Sequence, residues 1–182
     1  RTTDGTRLAL DQGGGELGPP RALLGGGKQD PPRLVPLEPG TGGVGAAFAR
    51  IAQRRSFFAH CALADYDRTR SQDVVASLDD DRFSAHAVDA SGQRALTELI
   101  RETNATHVMN AVDPIFNVPI FDACFDAGVT YMDMAMTLSE PHPTHPFEQA
   151  GVKLGDYQFE RASAWEENGQ LAVVGMGIEP GA

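Results

Sequence analysis

Short apolar runs alternate with amphipathic runs along the chain from Leu34 onward. The apolar runs have the length and composition of buried β-strands. The predicted strands are RLVPL (33–37), HCALAD (60–65), FSAHAVDA (83–90), THVMNAV (106–112), VTYMDMA (129–135) and LAVVGMG (171–177). Strands this apolar are covered on both faces, as in a parallel sheet, so we expect helices on each side of the sheet.

The segments between these strands carry apolar residues at helical spacing. The predicted helices are GGVGAAFARIAQRR (42–55), RTRSQDVVASL (68–78), SGQRALTELIRET (91–103), NVPIFDACFDAG (117–128) and DYQFERASAWEENG (156–169). In the first helix Val44, Phe48, Ile51 and Ala52 share the face that we expect to contact the sheet. Ser91 is the expected N-cap of the third helix. Strands and helices in this order predict an α/β fold with a doubly wound, mostly parallel sheet, the Rossmann fold.

Two stretches have glycines at G-x-G-x-x-G spacing, which seats a dinucleotide pyrophosphate where it follows a strand and opens a helix. In the first stretch, residues 13–18, two prolines follow at once and no periodic run comes after them. The second stretch, residues 40–45, is followed by the helix formers and apolar stripe of residues 46–49. Its glycines are Gly40, Gly42 and Gly45. We therefore assign the dinucleotide motif to the second stretch.

Residues 1–32 differ in composition from the rest of the chain. They are rich in glycine and proline and contain no aromatic residue. Such a segment buries too little apolar surface to offset its chain entropy. We interpret residues 1–32 as a flexible extension and residues 33–182 as one domain.

The formal net charge of −10 argues against a nucleic-acid partner, because phosphate binding needs clustered Lys and Arg. No apolar stretch approaches the roughly 20 residues of a membrane helix, so no membrane partner is expected either. Cys61 and Cys124 lie within apolar segments, which is typical of buried, reduced thiols. These features together predict a cytoplasmic protein.

Polar residues follow three of the predicted strands at the edge where such sheets bind ligands. Asp65 comes 20 residues after Gly45, where a carboxylate would accept hydrogen bonds from the adenosine ribose. Asp89 ends the third predicted strand, close to the expected position of adenine. Asn110 to Val112 end the fourth. Together with the glycine motif, this order of residues predicts a dinucleotide-binding site.

Pro36 falls inside the first predicted strand, which should lie at the centre of the sheet. Proline removes a ladder hydrogen bond and is normally confined to edge strands or bulges. Either the first strand is short and distorted, or the sequence upstream of Gly40 has been altered, and the sequence alone leaves both open.

Other polar residues have a structural interpretation beside a functional one. Asp133, in the fifth strand, faces either the mouth of the cleft or a neighbouring backbone amide. His142 and His145 stand between prolines, which indicates an exposed loop, since a metal needs a rigid scaffold and more ligands. No metal site is expected. Trp165 is expected in the core.

Four strings carry a resemblance to a known family: TGGVGAAFARIAQRRSFFAHCALADYD, VDAS, THVMNAVDPIFNVPIFDACFDAGVTYMDMA and GMGIEPGA. They resemble the saccharopine dehydrogenase family and, more narrowly, its saccharopine reductase and carboxynorspermidine synthase branch, over about residues 40–182. The resemblance implies an NAD(P)-binding Rossmann domain followed by a substrate and dimerisation domain. The whole enzyme would then act on an amino-acid or polyamine adduct and form a homodimer. This chain stops at Ala182, where the family continues into its second domain, so we expect it to lack that domain.

The resemblance also implies roles for matching residues, although it identifies no catalytic residue. They are Gly40, Gly42, Gly43, Val44 and Gly45 at the pyrophosphate, Asp65 with Arg68 nearby at the adenosine ribose, Asp89 and Ala90 at adenine, and Asn110, Ala111 and Asp113 near the nicotinamide-side ribose. The implied function is that of an NAD(P)-dependent oxidoreductase that transfers hydride to or from a C–N bond, with this chain as its cofactor-binding part. Two rival hypotheses are a non-catalytic dinucleotide-binding module with a regulatory role and an interaction protein that keeps the fold without the ligand.

Asp65 favours NAD slightly over NADP. Its carboxylate would repel the 2′-phosphate of NADP by about 4 kcal/mol per unit charge pair at ~4 Å and an effective dielectric of ~20, before screening by salt. Arg68 and Arg70 act in the opposite direction, because either can pair with a phosphate. The charge of Asp67 in the same loop opposes theirs.

The choice between the two glycine motifs is directly testable. We expect Gly42→Val to abolish cofactor binding, because a side chain there would block the approach of the pyrophosphate to the backbone. The matched change Gly15→Val should leave binding unchanged. Calorimetric titration with NADH and NADPH measures both, and equal loss in the two variants would contradict the assignment.

Overall fold

The structure is a computed structural model that describes residues 30–38 and 44–177, and for residues 37 and 38 it describes the backbone alone. The expectations for residues 1–29, for Gly40, Gly42 and Gly43, and for the closing residues 178–182 lie outside the described residues.

Within residues 30–38 and 44–177, six strands form one sheet in which every pair of neighbours is parallel. The strands are β1 Arg33–Glu38, β2 His60–Asp65, β3 Phe83–Ala87, β4 His107–Asn110, β5 Thr130–Asp133 and β6 Ala172–Val173. Their order across the sheet is β3-β2-β1-β4-β5-β6. The chain reverses its direction of progress at β1, which is the order of a Rossmann fold, so the predicted fold class is confirmed.

In the described residues, six helices connect the strands. They are α1 Val44–Gln53, α2 Arg68–Leu78, α3 Gln93–Glu102, α4 Asn117–Ala127, α5 Asp156–Glu160 and α6 Ala162–Glu167, and a 3₁₀ turn, Pro114–Phe116, precedes α4. Gly128 ends α4 in the left-handed conformation, at φ 74°, as a C-cap glycine should. The single helix predicted over residues 156–169 is wrong in one respect: Arg161, at φ −94° and ψ 0°, separates α5 from α6.

Pro36 lies in β1, at the centre of the sheet. The ladder to β4 runs without a break from Leu34 to Leu37 and pairs Pro36 with Met109. The register pairs to β2 omit Val35 and Pro36 and resume at Leu37. Because proline has no N–H to donate, one ladder is interrupted and the other is intact. β1 therefore keeps six residues, and the disturbance predicted from the proline is confined to one side.

The two faces of the sheet carry separate hydrophobic clusters. The smaller cluster joins α1 and α2 to β2 and β3, and includes Ala49, Ala52, Phe58, Cys61, Leu63, Leu78 and Phe83. The larger cluster joins α3, α4 and α6 to the opposite face, and includes Val35, Ala62, Leu96, Ile100, Val108, Phe121, Tyr131 and Trp165. The predicted core position of Trp165 is confirmed. So is the burial of both cysteines, Cys61 and Cys124.

The face of α1 that contacts the sheet consists of small residues, namely Gly45, Ala46, Ala49 and Ala52. The prediction that Val44 and Ile51 face the core is wrong, since they are 48% and 57% exposed. Phe48 is half-buried. Small side chains let the helix lie close against the strands, and the larger residues are then displaced to its flank. Hydrophobic spacing alone does not distinguish these two arrangements.

One half of the sheet has an apolar face that no described helix covers. Along β5, Tyr131 points into the larger cluster, whereas Met132 points to the opposite side. There it lines a groove of about 340 Å³ with Leu34, Phe48, Phe57, Met109 and Val173. The helices that follow β4 and β5 all pack on the other face, so α1 borders this groove without closing it.

Phe121 offers a test of the larger cluster. It is buried, and its ring lies 5.1 Å from that of Tyr131 and 4.8 Å from that of Trp165. We expect Phe121→Ala to lower the free energy of unfolding by about 3–5 kcal/mol, through lost contact and a residual cavity. Phe147→Ala, at a fully exposed phenylalanine, should change it by less than about 0.5 kcal/mol. Urea denaturation measures both, and similar losses would contradict this description of the core.

Candidate functional site

The predicted site residues lie at or just after strand ends along one edge of the sheet. Asp65, the last residue of β2, is in register with Glu38 of β1 and with Ala87 of β3. Asn110, the last residue of β4, is in register with Leu37 and with Asp133 at the end of β5. The carboxyl ends of five strands therefore form one row, with β1 in its centre. The segment of the glycine motif connects β1 to α1 at this position.

At the end of β2, the carboxylate of Asp65 is directed into the turn that leads to α2. The side chain is 5% exposed, and its Oδ1 accepts a hydrogen bond of 2.8 Å from the amide of Asp67. Asp67 is the N-cap of α2 and accepts from the amide of Thr69. Arg68 is the first residue of α2 and is exposed, and Arg70 pairs weakly with Asp67 at 3.8 Å. An acid and a basic residue thus lie within one short turn.

At the end of β3 the chain leaves the sheet earlier than predicted, at Ala87 instead of Ala90. Asp89 is exposed, and its Oδ1 accepts hydrogen bonds from the amide and the hydroxyl of Ser91, at 2.9 and 2.7 Å. These bonds hold the pKa of Asp89 below its usual value. The prediction that Ser91 caps α3 is wrong: α3 begins at Gln93 and Gly92 is its N-cap, while the hydroxyl of Ser91 donates to Asp89.

At the end of β4 the two predicted polar residues point in different directions. Asn110 is buried, and its amide nitrogen donates to the Oδ1 of Asn117 at 2.7 Å and to the hydroxyl of Tyr131 at 3.1 Å. Its Oδ1 accepts from the amide of Val112. Asp113 is exposed and caps the 3₁₀ turn by accepting from the amide of Ile115. The side chain of Asn110 therefore shapes the loop from inside.

A buried carboxylate stands at the centre of a polar network beside this loop. Asp133 is 1% exposed. Its Oδ2 accepts hydrogen bonds from the hydroxyl of Tyr131 at 2.8 Å and the side-chain amide of Gln158 at 2.5 Å. Its Oδ1 accepts from the backbone amide of Gly175 at 2.6 Å. Of the two orientations that the sequence left open, Asp133 thus takes the one that bonds a backbone amide.

No cation compensates the charge of Asp133, since none of the ion pairs among the described residues includes it. Burial raises the pKa of its carboxyl above the ordinary value of 3.8, and the three hydrogen bonds act in the opposite direction. The same burial and the neighbouring carboxylate raise the pKa of Tyr131 far above its usual range. Tyr131 therefore acts as a donor and not as a base.

Sequence reasoning missed three members of this network: Asn117, Tyr131 and Gln158. A signal was present for Tyr131, because residues two apart on a strand share a face, which places its hydroxyl beside Asp133. Asn117 bonds the carbonyl of Ala135 at 2.6 Å across the sheet edge. That contact follows from the tertiary structure, and no local pattern indicates it.

The histidines have structural partners. The hydroxyl of Ser84 lies 2.8 Å from the Nε2 of His60 and 2.8 Å from that of His86, at the edge of the sheet. His142 and His145 lie in an exposed loop, as predicted. Among the described residues, no group of three or more potential ligands is placed to hold a metal ion. Nor is any helix in these residues both long enough and apolar enough to span a bilayer.

Comparisons with known proteins point to one family. The family model described as "Saccharopine dehydrogenase NADP binding domain" matches residues 39–173. A carboxynorspermidine synthase from Vibrio alginolyticus is 27% identical over 154 residues, which are 80% of this chain and 36% of that protein. A carboxyaminopropylagmatine dehydrogenase from Synechocystis is 26% identical over 142 residues, which are 78% of this chain and 34% of that protein. The chain spans about a third of the length of these relatives.

Solved structures share the fold. A saccharopine dehydrogenase (L-Glu forming) from Saccharomyces cerevisiae superposes with a TM-score of 0.57 at 13% identity, over 81% of this chain and 28% of that one. A short chain dehydrogenase from Mycobacterium smegmatis superposes with a TM-score of 0.54 at 20% identity, over 82% of each chain. At these identities the likeness shows the fold alone.

The two perturbed carboxyls predict opposite effects of pH on stability. The raised pKa of Asp133 means that its contribution to the free energy of unfolding is full below the ordinary Asp pKa and is lost as pH rises through the raised value. We therefore expect wild type to lose stability relative to Asp133→Asn as pH rises through that window. The pKa of Asp89 is lowered, so wild type should gain stability relative to Asp89→Asn as pH rises from below the pKa of Asp89 in the folded protein to the ordinary Asp pKa. Urea denaturation across acid pH measures both differences. If the two stability differences changed with pH in the same direction, the environments assigned to Asp133 and Asp89 would be contradicted.

Proposed function

The chain belongs to the family of saccharopine dehydrogenase NADP-binding domains, and on this premise we propose that it binds NAD(P) along the carboxyl edge of its sheet. It would do so as the cofactor-binding part of an oxidoreductase that transfers hydride to or from a C–N bond of an amino-acid or polyamine adduct. The bound cofactor supplies the hydride chemistry, and the protein orients it.

One observation carries the proposal: the segment with the glycine motif connects the central strand to α1 at the point where the strand order reverses. Crevices at such points are the usual ligand sites of open α/β sheets. The small buried residues of α1 support close packing of that helix on the sheet, which the third glycine of such motifs serves. The N-terminus of α1 would then direct its backbone N–H groups and its positive dipole toward a pyrophosphate.

We assign the proposed contacts in the order of the strands. Gly40, Gly42, Gly43, Val44 and Gly45 hold the pyrophosphate, Asp65 and Arg68 the adenosine ribose, Asp89 and Ala90 the adenine, and Ala111 and Asp113 the nicotinamide-side ribose. For Asn110 we propose a different role from the one first expected. Because its side chain is buried and bonded within the protein, it serves the site by shaping the loop that presents Ala111 to Asp113.

The substrate class is proposed from the relatives' names. These are a carboxynorspermidine synthase and a carboxyaminopropylagmatine dehydrogenase. Both names describe carboxylated polyamine-type products or substrates. We propose that the protein acts on an adduct of the same class, and that it functions as a dimer.

A second candidate is a dinucleotide-binding module without turnover of its own. The matching family is described by its cofactor binding alone, which favours this candidate. Assays of hydride transfer with pairs of amines and keto acids separate the two candidates. Turnover of NAD(P)H by this chain would exclude the second, and cofactor binding without turnover would support it.

The matching family is described as NADP-binding, so it does not support a preference for NAD. That preference rests on Asp65 alone. Oδ1 of Asp65 already accepts from the amide of Asp67, so Oδ2 is the oxygen that we assign to the ribose hydroxyls. Arg68 is exposed next to it and is the residue best placed to favour a 2′-phosphate. We keep a modest preference for NAD as a prediction.

Calorimetric titration with NADH and NADPH tests both the function and the preference. We expect both to bind, NADH more tightly by less than about tenfold, which corresponds to less than about 1.4 kcal/mol. Asp65→Ser should shift the preference toward NADPH by removing the repulsion, and Arg68→Ala should shift it toward NADH. Binding of neither cofactor would overturn the proposed function. If wild type binds NADPH tenfold better, the position assigned to Asp65 is wrong.

A further inference from the structure

The turn after β6, residues 174–177, is held by Asp133 from two sides. The amide of Met176 donates to the backbone carbonyl of Asp133 at 3.0 Å, and the amide of Gly175 donates to its carboxylate at 2.6 Å. Gly175 is in the left-handed region, at φ 72°. A Cβ at Gly177 would lie 1.8 Å from the carbonyl oxygen of Met134, so only glycine fits there. The turn is therefore fitted tightly against the end of β5.

This turn lies on the edge of the sheet that carries the proposed cofactor site. Asp133 is in register with Asn110, which is in register with Leu37 near the end of β1. The network that bonds the turn also bonds the other loops at this end of the cleft. Asn110 holds the amide of Val112, Asn117 holds the carbonyl of Ala135, and Tyr131 joins Asn110 to Asp133. Three loops are thus anchored on one set of side chains.

The network suits a carboxylate and does not suit its amide analogue. Donors surround both oxygens of Asp133, from Tyr131, Gln158 and the backbone of Gly175. An asparagine in either orientation would turn its NH₂ toward one of these donors. Protonation of Asp133 has a related effect: of the three groups that now donate to it, only the hydroxyl of Tyr131 can accept the added hydrogen, and it would then no longer donate to the carboxylate.

We propose that Asp133 is a positioning residue for cofactor binding: its ionised carboxylate fixes the turn 174–177 as the wall of the cleft at the nicotinamide end. The proposal rests on the proposed function for the identity of the ligand. It assigns Asp133 no contact with the cofactor. Of the groups packed against its carboxylate, Tyr131 from β5 is titratable, Gln158 from α5 and Gly175 after β6 are neutral, and Cys124 of α4 lies behind Tyr131.

The first measurement is cofactor affinity as a function of pH. We expect Asp133→Asn to weaken binding of both NADH and NADPH by about tenfold or more at neutral pH. The matched control is Leu99→Ala, a buried change on α3, which should bind within about twofold of wild type although it loses stability. Wild-type affinity should fall as the pH is lowered, and the affinity of Asp133→Asn should stay flat. Equal affinities in wild type and Asp133→Asn, or equal losses in Asp133→Asn and the control, would overturn the proposal.

Tyr131→Phe provides a variant that keeps the charge. Loss of one donor raises the pKa of Asp133 further, so the fall in affinity should move to higher pH than in wild type. An unmoved profile would contradict the proposal even if Asp133→Asn does not fold.

Amide hydrogen exchange separates this proposal from the proposed function, because it needs no cofactor. In Asp133→Asn the amides of Gly175 and Met176 should exchange about tenfold faster or more, while amides in the middle of α4 keep their protection relative to global unfolding. Unchanged exchange at Gly175 and Met176 would overturn the positioning role. If wild type binds neither cofactor but the turn is released as expected, the proposed function fails and the anchoring by Asp133 stands.

Discussion

All strands of a parallel sheet have their carboxyl ends on the same edge. This is possible because each connection crosses from that edge back to the opposite one. In this chain every connection contains a helix, and every loop that follows a strand opens on the same side. The residues that follow β2, β3, β4 and β5 are distant in sequence and are brought into one row by this rule. The point where the row reverses direction is β1, and the glycine motif leaves the sheet there. The position of the candidate site therefore depends first on strand direction and only then on particular side chains.

The same crossovers decide which faces of the sheet are covered. The helices after β1 and β2 pack on one face, and those after β3, β4 and β5 pack on the other. The face of β4, β5 and β6 that carries Met109, Met132 and Val173 has no helix from the described residues. Parallel strands are normally buried on both sides, so this groove marks the part of the fold at which the described residues do not complete the core.

Much of this architecture could be predicted from the sequence, because apolar runs and helical spacing are local signals. The bounds of β2 and α2 agree with the pattern residue for residue. The orientation of α1 could not be predicted from the sequence. Val44 and Ile51 are apolar yet lie on the flank of the helix, and the distance between the helix and the sheet decides which face is buried. Likewise Ser91 resembles a cap by its position, but α3 begins one residue later than predicted and Gly92 is its N-cap. For the site, residues at strand ends were found from order alone. The partners of Asp133 were not, because the contacts from Gln158 and Gly175 span 25 and 42 positions of the chain.

Trp165 is the single tryptophan of the chain and lies buried on α6, with its ring 4.8 Å from Phe121 and 6.4 Å from Tyr131. Its indole is therefore a built-in optical reporter of the region behind the polar network. Emission from a buried indole is blue-shifted, and it overlaps the absorption of a reduced nicotinamide. A dihydronicotinamide bound at the nearby edge of the sheet would receive excitation energy from this one donor, so a fluorescence titration would read occupancy of the cleft without any label.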